Sequence, residues 1–175
     1  MTNYSPDGRG VASDIDRDEG APDDADYRRA GVLIAHRVSA NIQGIRSVTV
    51  EAIETDRCAQ LLGALIEGYE FILSELRTDQ SLDMVGELIE LATQQHVHPL
   101  MRQAANAVVA HHDNDDDRFE QLLLEADTPQ KSALLIGSVT DLFNALLPEL
   151  GTPNGLKNLA EWTARIADRE GELDE

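Results

Sequence analysis

From Asp26 onward, apolar residues recur along the chain at three- and four-residue spacings, the period of a helical face. The first such segment carries Val32, Leu33, Ile34, Val38, Ile42 and Ile45. It predicts one helix ending near Ile53, although Ser47-Val48-Thr49-Val50 is β-branched enough for a short strand. Thr55 reads as the N-cap of a second helix over 56–77, in which Leu62, Leu65, Ile66, Tyr69, Ile72, Leu73 and Leu76 form one broad stripe. Thr78-Asp79-Gln80-Ser81 breaks it. A third helix over 81–95 is expected to bury Leu82, Val85, Leu88, Ile89 and Ala92.

Proline and acid punctuate the remainder. His98-Pro99, Thr128-Pro129 and Thr152-Pro153 each place proline at a first helical position, where its missing N–H costs nothing. The acids Asp113 to Asp117 precede a short helix with Phe119, Leu122, Leu123 and Ala126, and favour its dipole. Leu134, Leu135, Val139, Leu142, Phe143 and Leu146 are apolar nearly all round, so the helix after Pro129 is expected to be the most buried. The last helix places Leu156, Leu159, Trp162 and Ile166 inside. These segments predict an all-α protein: a single bundle of about seven helices over 26–171, with antiparallel neighbours because the connections are short. No internal repeat has a fixed period.

Residues 1–25 lack this periodicity. They combine Pro6, Gly8, Gly10, Gly20 and Pro22 with a run of acids, the composition of a disordered acidic tail. Residues 172–175 are expected to fray. The start of the chain lacks the basic and apolar regions of a secretory signal, and no apolar run approaches membrane-spanning length. Cys58 is the only cysteine, which excludes an intramolecular disulfide. A cytoplasmic location is the expectation.

Charge changes the picture most. The net charge is −19 over 175 residues. Residues 1–26 carry eight acids against Arg9 and Arg17, and 51–175 carry 25 acids against eight bases. Between them, 27–50 holds Arg28, Arg29, Arg37 and Arg46 and no acid. Such acidity argues against direct binding of nucleic acid backbones, which needs clustered Lys and Arg. It fits either an acidic surface that imitates nucleic acid or a surface adapted to high salt. Only two lysines stand against twelve arginines, and 18 Asp exceed 15 Glu, a composition that resembles extreme halophiles. The basic segment is attracted to an acidic surface, which can be the chain's own bundle, its tail or a second copy.

Candidate chemistry is sparse. Glu67-x-x-Glu70 is followed after sixteen residues by Glu87-x-x-Glu90. Paired carboxylates one turn apart on adjacent helices suit Mg²⁺ on a nucleotide's phosphates. Over 67–90 the arrangement resembles the metal motif of the all-α, MazG-like nucleoside triphosphate pyrophosphohydrolases, with Glu90 where that family has Asp and no Lys or Asn in support. The resemblance implies Mg²⁺ at Glu67, Glu70, Glu87 and Glu90. On a helical wheel, however, Glu67 lies almost opposite the apolar stripe and Glu87 also points away from the core, so both are expected in solvent unless a second copy covers them. His96-x-His98 and His111-His112 lie at opposite ends of one helix, roughly 21 Å apart at ~1.5 Å per residue, and cannot share an ion. Asp113-x-Asp115-x-Asp117 and Asp14-x-Asp16-x-Asp18 begin like calcium loops but lack the required glycine and glutamate positions. Cys58 would gain thiolate character from a helix N-terminus. No nucleophile elbow, P-loop or dinucleotide fingerprint is present.

The leading expectation is therefore a non-enzymatic helical interaction or assembly protein, homo-oligomeric, without cofactor and without a membrane partner, with Arg28, Arg29, Arg37 and Arg46 at the interaction surface. The alternatives are a Mg²⁺-dependent pyrophosphohydrolase and an acidic inhibitor that mimics nucleic acid for a basic partner.

Overall fold

The computed structural model describes residues 21–173, with side chains to Ile166. The acidic segment 1–20, its Asp14-x-Asp16-x-Asp18 motif and the last two residues lie outside that range. Among the described residues there are eight α-helices and no strand: α1 Asp24–Val38, α2 Ile42–Glu54, α3 Cys58–Leu76, α4 Asp79–Ala92, α5 Pro99–His112, α6 Asp116–Glu125, α7 Pro129–Leu146 and α8 Pro153–Leu173. A 3₁₀ turn, Pro148–Gly151, joins α7 to α8. Among the described residues no helix is long and apolar enough to cross a membrane.

The first predicted helix is two helices. Ala40 adopts the left-handed conformation, with φ 54°, and the Asn41 N–H donates back to the His36 carbonyl. This is the Schellman arrangement, which ends a helix by satisfying its last carbonyls. The same device recurs at Asp56, where Arg57 N–H bonds the Ala52 carbonyl, and at Asn114, where Asp115 N–H bonds the Ala110 carbonyl. None of the three positions is glycine, so the usual stop signal is missing from the sequence. Thr55 accordingly closes α2 and does not start α3, whose N-cap is Arg57. The proline starts fall where expected: Pro99, Pro129 and Pro153 open α5, α7 and α8. His98 Nδ1 and Thr128 Oγ1 accept from the first turns of α5 and α7.

Helix α3 is the hub. Ten of its nineteen residues are buried, against seven of eighteen in α7, so α3 takes the central place expected of α7. It packs against α1, α8, α7, α2, α4 and α5. Tyr69 of α3 stacks on Phe143 of α7 with ring centroids 4.5 Å apart and planes 9° from parallel, and both rings are fully buried. On its other side α3 approaches α1 and α8 closely. Trp162 of α8 lies over Gly31 of α1 and Gly68 of α3, where a Cβ at Gly68 would come 2.5 Å from Trp162 Cη2.

One charged group lies at the centre of the α1–α2–α3 junction. Asp26, placed at the edge of the tail by sequence, is fully buried. Its carboxylate accepts from Arg57 Nη2 and Nε and, at 3.2 Å, from Arg29 Nη1. It also accepts from the Asp23 N–H at 3.0 Å, while Asp23 Oδ1 accepts from the Asp26 N–H, a reciprocal capping box that starts α1. Partial burial opposes ionisation of Asp23, but the Asp26 hydrogen bonds and the Arg57 charge outweigh it and hold this carboxyl below its ordinary range.

Three outcomes test this architecture. Ala40→Gly removes the left-handed penalty of a Cβ and should raise stability by about 1 kcal/mol in urea titration. Gly68→Ala forces Trp162 off its seat and should lower stability by about 1–3 kcal/mol. Because Asp23 has a depressed folded-state pKa, its contribution is present above the unfolded value of ~3.9 and lost as pH falls through the lower folded value. Asp23→Ala should therefore flatten the acid limb of the stability profile below about pH 5; an unchanged limb would exclude the capping box as its source.

Candidate functional site

The carboxylates singled out by the MazG-like spacing do not share one centre. Glu67 and Glu70 turn from α3 toward the end of α5. Glu67 accepts from the Tyr27 hydroxyl, and its other oxygen lies 3.6 Å from His111 Nε2. Glu70 lies 3.4 Å from His112 Nδ1. The Glu-x-x-Glu and His-His pairs, far apart in sequence, thus form two rungs between neighbouring helices. Glu67 is only partly exposed, because α3 has neighbours on more than one side and its polar edge meets α1 and α5. Glu87 is exposed on α4, and Glu90 stands at the rim of a cavity beneath that helix together with Glu70. Among the described residues no group of three or more His, Cys, Asp or Glu side chains could hold one metal ion. The Asp113–Asp117 cluster supplies Asp115 as the N-cap of α6, accepting from Arg118 N–H.

The basic segment is distributed over the bundle. Arg29 spans Asp26 and Glu51, and Arg37 Nη2 pairs with Asp141 of α7 at 2.6 Å. Arg28 and Arg46 are exposed, and Arg46 lines a shallow groove along α2 with Ser47, Val50 and Glu51. Cys58 departs from expectation. Partial burial, with the Asp56 charge beside it, pushes the thiol pKa up despite a hydrogen bond involving Ser132, so the helix N-terminus does not make it a thiolate at neutral pH.

The least satisfied element is α4. Its inward side places Val85 and Ile89 in the core, and it packs mainly on α5 with a smaller contact to α3. Its outward side carries Met84, Leu88 and Leu91, which are 59%, 51% and 53% exposed. At 100° per residue these three fall within an arc of about 60° and make a continuous apolar strip. Asp83, Glu87 and Glu90 line one edge of the strip. Leu88, expected in the core, belongs to this outer strip. The adjacent apolar pairs Met84-Val85, Leu88-Ile89 and Leu91-Ala92 are more than one buried face requires, and this doubling was the available sequence signal for a second apolar face. Other apolar residues expected inside are also exposed, including Val32, Ile42, Leu134 and Leu156, but they sit on different helices.

Below α4, between α3 and α5, lies a half-open cavity of about 410 Å³. Its walls are Leu73, Leu82, Val85, Ile89 and Val108, backed by the fully buried Phe143. Glu70, Ser74, Glu90, His112 and Asp113 stand among its lining residues as the polar groups. Comparison with known protein families, curated proteins and solved structures finds no match to this chain.

The two sides of α4 should respond differently to substitution. Leu88→Glu is expected to leave the stability of a single chain within about 0.5 kcal/mol. Ile89→Ala, which empties a buried site, should cost about 2–4 kcal/mol in the same urea titration.

Proposed function

We propose that this chain is a non-enzymatic helical interaction protein that associates with a second copy of itself through the outer strip of α4. The observation that carries this reading is the alignment of Met84, Leu88 and Leu91 on an exposed side of α4, about 110° around the helix from Val85 and Ile89, which fill the core. Burying such a strip against its own symmetry mate removes apolar surface from water on both chains at once, and a two-fold contact closes without growing into a filament. The metal-dependent hydrolase reading has weaker support, because Glu67 and Glu70 are engaged by α5 and α1 while Glu87 faces solvent on α4.

The acidic edge of the strip sets the conditions. Asp83, Glu87 and Glu90 of one chain approach those of the other, on molecules that each carry −19. Salt shortens the range of that repulsion from ~8 Å at 0.15 M to ~3 Å at 1 M. Apolar burial is not weakened in this way. The low-lysine, Asp-rich composition fits a protein whose association takes place in concentrated salt.

Light scattering on the eluting peak of a size-exclusion column tests the proposal at ~0.15 M and ~2 M KCl, conditions on either side of strong screening. The expected result is a dimer that is populated or strengthened at the higher salt, and a monomer at both concentrations for Leu88→Glu. A wild-type monomer throughout, or a dimer that Leu88→Glu leaves intact, would overturn it.

A further inference from the structure

We infer that the cavity between α3, α4 and α5 is a binding site for a small amphipathic cation, an apolar body carrying an ammonium group. The body is accounted for by shape and lining. A half-open hole of about 410 Å³ walled by Leu73, Val85, Ile89, Val108 and Phe143 is within the range of small-molecule pockets, which are mostly apolar with a few placed polar groups. It stays open on the α4 side at Gly86, where an added Cβ would meet nothing within 4 Å.

The head group follows from charge. The lining includes three carboxylates, Glu70, Glu90 and Asp113, and no Lys or Arg. Its one potential cation, His112, faces Glu70 at 3.4 Å. Acid-lined hollows occur elsewhere on the surface, where Asp56 and Asp127 border one beside Cys58, but the cavity under α4 joins its three carboxylates to a mostly apolar wall. A ligand with its apolar end against Leu82, Val85 and Ile89 and its ammonium beside the carboxylates exchanges water for charged partners, whereas a carboxylate in the same place faces three like charges. The cavity shares Glu90 with the acidic edge of the outer strip, but Glu70 and the apolar walls lie away from that strip, so Glu70→Gln tests the cavity apart from self-association.

Titration calorimetry on the full chain with 4-phenylbutylamine, 4-phenylbutanol and 4-phenylbutyrate at one fixed KCl concentration tests the inference, because the three probes share a body and differ in the head. The amine should bind at least tenfold more tightly than the alcohol, and the acid should show no binding. Glu90→Gln and Glu70→Gln should each weaken the amine severalfold while leaving the alcohol unchanged. Gly86→Leu should abolish binding of both, with its helical circular dichroism retained; should that variant unfold, the two Gln variants carry the test. Equal binding of amine and alcohol, tighter binding of the acid, or no binding of any probe would overturn it.

Discussion

The junction of the first three helices depends on one buried carboxylate. Asp26 has no access to solvent, and a charge in that position is tolerated only when its oxygens are fully engaged. Arg57 and Arg29 supply the countercharge from two different places in the chain, and the N–H of Asp23 fills a remaining acceptor site. Each partner has a second attachment: Arg57 reaches Asp23, and Arg29 reaches Glu51 of α2. The start of α1, the side of α2 and the start of α3 are thereby tied through a single side chain. Arg57 offers no acceptor to its own helix, and α3 begins without a side-chain cap. That local loss is the counterpart of placing a guanidinium where the buried carboxylate needs it.

The helical class and most of the element starts were legible in the sequence, because they rest on local chemistry. A 3.6-residue apolar period and a proline at the first helical position act within a few residues and can be read there. The stops after Val38, Glu54 and His112 were harder, since Ala40, Asp56 and Asn114 take the left-handed role usually given to glycine. For this reason the first helix was expected to run unbroken to Ile53. The central helix is also not the one with the most evenly apolar sequence. Apolar residues all round α7 suggested burial on every side, but Leu134 is half exposed, while α3 achieves fuller burial by using Gly63, Ala64 and Gly68 where neighbours come close.

The candidate surfaces show the same division. The apolar surplus of α4 was present in the sequence as paired positions, but deciding which member of each pair faces inward requires knowing where α5 lies. Glu67 was expected to face solvent because a wheel with one buried stripe assumes one neighbour. Its contacts to Tyr27 and His111 arise because α3 has many. The meeting of the Glu-x-x-Glu and His-His pairs, and the cavity they border, depend on α3 meeting α5 through residues more than forty positions apart, for which no local spacing supplies a signal.

The hollow formed by Gly31 and Gly68 has a consequence for the order in which the protein can take shape. Its occupant, Trp162, belongs to the last helix, while Gly31 belongs to the first. As the chain leaves the ribosome, α1 and α3 can meet long before Trp162 exists to separate and fill the space between them. The early part of the bundle must therefore wait with an apolar notch open to water, in competition with any other aromatic side chain able to enter it. Contacts of such wide sequence separation slow folding and prolong the exposure of unfinished surface. Synthesis of the final helix, more than that of the central one, marks the moment at which this bundle can close.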